Sequence, residues 1–367
     1  MRPFSLAPIR LTPTRPMGSS DTTQTADGRT LHWAHGSLTV QQLGAMLAPV
    51  RFDLPDGRSV QPMHIPPWAD EKLPLGLPPI LQGLRGEWPC VPFGADEPES
   101  LSADWHSSMG QPSLLSSNAP PHGESSNCLW DWKHAGGDRL TLHLDYPANH
   151  PIAWVEREII PDPNAPAIDC ILRTMPRTDC CLPIGLHPTF ALPADGGSAR
   201  IITPSAKHVR SYPGSLEPGA DIFEADSVFN DLVEAPANKG GTIDASRVPF
   251  GSPGEDLLQL IDIAEGFAAL DNQGGGYRVT LTWNAEHFPS LLIWYSNRGR
   301  QHEPWNGRHT ALGLEPICSA FDLGAGIASV SNPIASQGTR TCFSFRGGKL
   351  FQSRYRISGE LHASAST

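Results

Sequence analysis

The sequence contains no apolar run near the roughly 18 residues that cross a bilayer, and Met1 to Arg10 lack a sustained apolar signal core. These absences lead to the expectation of a soluble, cytoplasmic protein with no membrane partner. Basic clusters are also missing: 27 Lys and Arg face 38 Asp and Glu, the net charge is −11, and no Lys/Arg run exceeds two residues. Without a basic stripe there is nothing to neutralise a phosphate backbone, so no nucleic-acid partner is expected. The seven cysteines show no C-x-x-C spacing and the histidines no H-x-x-x-H pair, so neither a metal nor an organic cofactor is expected. In a reducing compartment the cysteines, including the adjacent Cys180 and Cys181, read as buried free thiols. Helix-favouring runs are scarce and only 18% of residues are charged, whereas there are 35 Gly and 37 Pro. That balance suits many strands joined by turns, and the expected fold class is all-β.

The chain divides simply. Residues 1–28 are polar and Pro-rich and are expected to form a flexible tail, residues 29–360 one large β domain, and residues 361–367 a second tail. From Thr30 to Ile65 apolar and polar residues alternate, with Pro55-Asp56-Gly57 as a turn, which predicts a meander. Glu97 to Asn118 is Ser-rich and reads as a long surface loop, and Pro213 to Lys239 as an acidic, irregular one. Strands are expected at Asp138–Tyr146, Ile152–Pro161, Ala167–Thr174 and Ala199–Pro204, then from Thr339 to Phe345 and Leu350 to Ile357. Phe267 to Trp283 predicts a hairpin about a Gly-rich turn that has no nucleotide-binding sequel. The apolar run Pro289 to Ser296 has the length of a buried strand.

Four polar side chains stand out against this background. His187 lies in the apolar, proline-punctuated stretch Cys181 to Pro193; Pro188 biases it to extended backbone and Gly185 permits a close approach, so its ring is offered from a strand end. It is either a hydrogen-bonded core histidine or a proton-transfer group. Glu315 is a carboxyl within an apolar strand, where burial raises its pKa unless donors surround it. Arg85, in the rigid Leu84 to Gly94 loop, is open to two readings, a bidentate donor to hydroxyls or a carboxylate, or an ion pair with Glu87 or another acid. His122 follows two prolines and precedes Gly123, so a turn presents it.

In chain order, four segments resemble the aldose 1-epimerase (galactose mutarotase-like) family, including its hexose-phosphate mutarotase branch. Leu84-Arg-Gly-Glu-Trp-Pro-Cys-Val-Pro-Phe-Gly94 is similar to the family's Arg-Gly-Gly-x-Pro-x-x-x-Pro-x-Phe-Gly loop, and Pro121-His-Gly-Glu-Ser-Ser-Asn-Cys-Leu-Trp130 to its Leu-His-Gly-x-x-Arg-x-x-x-Trp segment. His187-Pro-Thr-Phe190 resembles its His-x-Tyr-Phe, and Leu314-Glu-Pro316 its Val-Glu-Pro. The resemblance covers about residues 30 to 357 and implies a large antiparallel β-sandwich. It also implies Glu315 as general base, His187 as general acid, and Arg85 and His122 as partners of sugar hydroxyls. This chain departs from the pattern at Glu124 and Ser125, where the family has Arg or Asn, and at Thr189 in place of Tyr. The family's substrate-binding Asp has no clear counterpart; Asp256 is the best placement by position, with Gln259 second.

The activity so implied is interconversion of the α and β anomers of an aldose: the base takes the C1 hydroxyl proton, the acid protonates the ring oxygen, and the opened chain rotates and recloses. The implied partner is a monosaccharide or sugar phosphate, the low basic content leaning toward a free sugar, and the chain is expected to be a monomer or homodimer. Trp88, Trp130 or Trp305 would offer an apolar face to the sugar ring. Two rival readings remain: a non-catalytic carbohydrate-binding protein on the same fold, and a glycoside hydrolase or lyase, for which Asp322 and Glu303 are the nearby carboxyls.

Overall fold

A computed structural model describes residues 22–24, 28–95, 101–106 and 120–362. The architecture is all-β and antiparallel, built on three large sheets. The first is the meander expected near the N-terminus, with strands Gly28–Trp33, Gly36–Gln41, Leu47–Asp53 and Ser59–Val60. Thr22–Gln24, within the segment expected to be a tail, adds a strand by pairing with Arg29–Leu31. Residues 1–21 and 363–367 lie outside the described residues, so the rest of both expected tails is not described.

The second sheet has nine strands. Arg139–Asp145, Ile152–Pro161 and Ala167–Pro176 run consecutively, the last pairs with Phe351–Leu361, and that strand pairs in turn with the predicted hairpin Phe267–Asn272/Tyr277–Trp283. The third has eight strands, and its centre is formed by Gly254–Ile263, Ser290–Asn297 and Thr310–Cys318. Side chains of a strand alternate between faces, and here both faces are covered. Leu258, Leu260, Leu291, Ile293, Leu312 and Leu314 join the main core with residues of the other two sheets, including Leu38, Val155, Leu172 and Ile357. Leu257, Ile261, Leu292, Trp294 and Ile317 point the other way, into a second apolar cluster with Trp88, Phe93, Trp305 and Phe321. Burial on both faces explains why 289–296 reads as a continuous apolar run instead of an alternating one.

Two expectations need correction. Cys181 and Cys342 are joined by a disulfide that bridges the paired strands Cys180–Leu182 and Phe343–Phe345; five cysteines remain free, and of these Cys128 is only half-buried. Sequence spacing gave no hint of a bridge between residues 161 positions apart. The expected surface loop 97–118 lies largely outside the described residues, but its helical turn Ala103–His106 sends Trp105 into the second cluster, fully buried, with its indole N–H on Asp226 at 3.1 Å. No described helix is long and apolar enough to cross a membrane.

Candidate active site

The second cluster surrounds a cavity of about 300 Å³ on the outer face of the eight-stranded sheet. His187 reaches it from the link between strands Ile184–Leu186 and Thr189–Ala191, both of which pair with Thr310–Cys318. Its backbone N–H donates to Trp88 O at 2.9 Å, and the N–H of Leu314 donates to Pro188 O at 2.9 Å, so the histidine is pinned on both sides. A glycine at 185 is needed for close approach: a Cβ there would lie 2.4 Å from the Phe93 ring. Glu315 comes from the facing strand. Leu312 and Leu314 turn into the main core, so alternation sends Glu315 to the cavity. Gly313, on the same face, makes its room, since a Cβ there would stand 2.3 Å from Glu315 Oε1.

These two side chains meet, with His187 Nδ1 3.5 Å from Glu315 Oε1. Thr189 Oγ1 lies 3.3 Å from the same nitrogen and limits the ring's rotation. Trp88 stacks on the imidazole at 4.2 Å between centroids, and Trp294 meets it edge-on at 5.8 Å. Burial in this aromatic box, with the nearby His122 and Arg300 adding to it, holds the His187 pKa well below its ordinary value. Burial, then the neighbouring Asp322, holds the Glu315 carboxyl well above the carboxylate range. Burial thus favours the neutral imidazole and the protonated carboxyl, a form of the pair that holds one proton between its two members.

His122 is the third member. It sits in the left-handed region, φ 58°, at the turn preceding the short helix Gly123–Asn127, as its proline and glycine neighbours predicted. Its Nδ1 accepts from the Gly94 N–H at 3.3 Å, which assigns the ring proton to Nε2 and makes that nitrogen a donor. Burial, then Arg300, lowers its pKa to about 4. The ring is neutral at physiological pH and stands 5.1 Å from the His187 ring.

Two of the residues expected at the site are elsewhere. The Arg85 guanidinium turns away from the cavity, its Nε donating to Gly83 O at 3.0 Å and its Nη1 lying 2.7 Å from the Gln41 amide oxygen; its neighbour Leu84 lines the cavity instead. Nor is Glu87 the partner of Arg85. That carboxyl is wholly buried and receives Arg157 and, at 2.8 Å, the Tyr355 hydroxyl. Asp256 faces the opposite side of its strand, where its carboxyl accepts from the N–H groups of Ile222, Phe223 and Leu257 at 2.8–2.9 Å. Gln259 points to the cavity side but is consumed by Ser319 O and the Phe321 N–H. The acid on the cavity face of this strand is Glu255, one residue earlier, because a shift of one residue exchanges faces.

Sequence reasoning missed the cation of the site. Arg300 lines the cavity, its guanidinium 4.6 Å above the Trp305 ring and 5.6 Å above Trp294. Glu255 anchors it at 3.1 Å and is itself fixed by the Trp294 indole N–H at 2.7 Å and the Ser296 hydroxyl at 3.0 Å. The only prior signal was an Arg five residues before Trp305 in an irregular loop. Asp322 also lines the cavity, where burial raises its pKa against the opposing pull of Arg300 and Tyr212, and among the described residues its Oδ1 has no hydrogen-bond partner. Trp88 and Trp305 form walls as expected, whereas Trp130 lies in the inter-sheet core and Glu303 is exposed outside the cavity. Among the described residues no group of three or more His, Cys, Asp or Glu is arranged to hold a metal.

Neither a family sequence model nor a curated protein sequence matches the chain. Solved structures do. The galactose mutarotase related enzyme from Lactobacillus acidophilus aligns over 93% of this chain and 99% of its own at a TM-score of 0.58 and 12% identity. An aldose epimerase homologue from C. elegans gives 0.58 at 11% identity over 94% and 99% of the two chains. The Slr1438 protein from Synechocystis sp. PCC 6803 gives 0.59 at 12% over 97% and 100%. At these identities the likeness establishes the fold, which is that of the galactose mutarotase-like β-sandwich.

Proposed function

We propose that this chain is an aldose 1-epimerase, with His187 and Glu315 as its acid and base. One observation carries the reading: a buried imidazole and a buried carboxyl, brought from segments far apart in sequence, stand 3.5 Å apart at the wall of a cavity. Ring opening of a cyclic aldose needs one group to accept the C1 hydroxyl proton and another to donate to the ring oxygen. A pair holding a single proton supplies both roles, and reclosure on the other face returns the proton to its starting place. Glu315 as carboxylate takes the hydroxyl proton while protonated His187 serves the ring oxygen. The resting form, in which the carboxyl holds the proton, is one proton transfer away from that state.

His122 Nε2–H donates to a sugar hydroxyl, the Arg300 guanidinium donates to others, and Asp322 accepts. The Trp88, Trp294 and Trp305 walls exclude water and present apolar faces to the C–H groups of the ring. Polarimetry of freshly dissolved α-D-glucose and α-D-galactose tests the reading. The rotation is expected to relax faster in proportion to protein concentration, and a rate that never exceeds spontaneous anomerisation leaves a sugar-binding protein instead.

A second reading has one supporting observation, the presence of two carboxyls, Glu315 and Asp322, in the same cavity. Burial raises the Asp322 pKa but Arg300 and Tyr212 oppose it, while Glu315 has no such opposing partner. One acid and one base are the requirement of a glycosidase. Release of nitrophenol from aryl glycosides separates the two activities.

A further inference from the structure

Among the described residues Arg300 is the one Lys or Arg that lines the cavity, and its loop is built to hold it there. The Arg298 N–H donates to His309 O at 2.7 Å and closes the loop, while the Gly307 N–H donates to Arg300 O at 2.8 Å and fixes the arginine's backbone. Gly299 lets the loop lie against the strand Gly254–Ile263, since a Cβ there would stand 2.7 Å from the Glu255 Cβ. Glu255, wholly buried, then meets the guanidinium Nε at 3.1 Å. The same Oε1 accepts from the Trp294 indole, and Oε2 accepts from the Ser296 hydroxyl, whose oxygen is also 2.8 Å from His309 Nδ1. Burial raises the Glu255 pKa, and Arg300, Trp294 and Ser296 oppose it in that order. A carboxyl that takes two obligatory N–H donors and a hydroxyl is arranged as a carboxylate, so the charge of Arg300 is matched before any ligand enters.

The rest of the lining adds no unmatched positive charge. Burial keeps His122 and His187 neutral, His302 stands 3.4 Å from the Glu217 carboxyl, and Glu315 and Asp322 are acids. The segments 96–100 and 107–119, next to Ala95 and just before Pro120 in the sequence, contain Asp96, Glu97 and Glu99 and no Lys or Arg. A phosphate or carboxylate on a bound sugar would lose water here and meet a guanidinium whose charge is already matched. Arginine recognises such anions by offering a planar fork with its full charge, and the Nε side of this fork is taken by Glu255. Resting on the reading of the cavity as an aldose site, we propose that Glu255 is a positioning residue that sets the substrate class: through Arg300 it makes the cavity discriminate against aldoses carrying an anion, such as 6-phosphates and uronates, in favour of uncharged ones. Specificity then comes from withholding a charge from the wrong ligand as much as from hydrogen bonds to the right one.

The test reads Kd by calorimetry for D-glucose, D-glucuronamide, D-glucuronate and D-glucose 6-phosphate, with anomerisation of glucose followed by polarimetry in parallel. Glucuronamide and glucuronate differ by one charge at nearly one shape, so their ratio reports charge and not size. In the wild type the amide is expected to bind about tenfold tighter than the carboxylate, and added salt should narrow the ratio because it screens repulsion. Glu255→Gln should bind glucuronate and glucose 6-phosphate about fivefold or more tighter than the wild type does, a gain that a structural defect cannot produce. Glu255→Asp, which keeps the charge, should keep the wild-type preference. A wild-type preference for either anion, a ratio that salt leaves unchanged or widens, or a Glu255→Gln ratio equal to that of the wild type overturns the proposal. Should thermal melts show Glu255→Gln unfolded, the wild-type ratio and its salt dependence decide. Charge discrimination without acceleration of glucose rejects the epimerase reading and keeps the role of Glu255. Acceleration of glucose with equal binding of amide and carboxylate does the reverse, and failure to bind any of the four sugars overturns both.

Discussion

Replacing Glu315 with Gln separates chemistry from stability in a way the structure makes quantitative. The side chain is 2% exposed, and burial holds its carboxyl protonated well above the carboxylate range, so the native group at rest is neutral. A glutamine of the same shape replaces one neutral group by another and leaves no buried charge behind. The linkage sign follows from the raised pKa. The unfolded chain ionises this carboxyl near the ordinary value of 4.5 while the native chain keeps its proton. The stability it confers is therefore full below that pH and is lost as pH rises through the native pKa. Each unit of upward shift corresponds to about 1.4 kcal/mol. Glu315→Gln has no such slope. It should melt with the wild type near pH 4 and above it at pH 7. Catalysis should move the other way, because the amide cannot take a proton: kcat/KM is expected to fall about 10²–10⁴-fold, or about 2.7–5.5 kcal/mol of transition-state stabilisation, with sugar affinity retained. Paired melts at the two pH values, with polarimetry and calorimetry, give the result. A variant that is less stable at pH 7, or a loss of only a few-fold in rate, would refute the assignment of Glu315 as a buried, proton-holding base.

The pH profile of anomerisation should be a bell, because the pair works with one proton: a second proton is gained on the acid side, at the lowered histidine pKa, and the single proton is lost on the alkaline side, at the raised glutamate pKa. A profile with only one titrating limb counts against the coupling. Asp256→Asn should cost about 1–3 kcal/mol in denaturant unfolding, since its carboxyl caps three backbone N–H groups, and should leave kcat/KM within about twofold; a large kinetic loss with intact stability would return Asp256 to the site. Thiol titration of denatured, unreduced protein should count five free cysteines, rising to seven after reduction, and seven at the outset would deny the Cys181–Cys342 bridge.

By itself the sequence determined the strand content, the N-terminal meander, the hairpin about residues 273–276 and the buried strand after Pro289, because local alternation, turn residues and apolar length are properties of short segments. It also singled out His187 and Glu315, since an ionisable group in an apolar, proline-bounded stretch is visible without coordinates, and His122 through its turn. What tertiary structure decided was which face each group points to and what stands beside it. Asp256 and Glu255 are adjacent in sequence, yet the pleat sends one to the core-side backbone and the other to Arg300. At the exit of the helical turn Pro79–Gly83, Leu84 lines the cavity while Arg85 is drawn to Gly83 and Gln41. Arg300 carries no local mark; it matters only because the loop after Ser290–Asn297 folds over the sheet and brings an arginine onto Trp305. The disulfide is the extreme case, joining residues 161 positions apart that are neighbours only through strand pairing. Period-two patterns and turn chemistry act over a few residues, whereas the side a strand presents and the partner it meets depend on the register of the whole sheet.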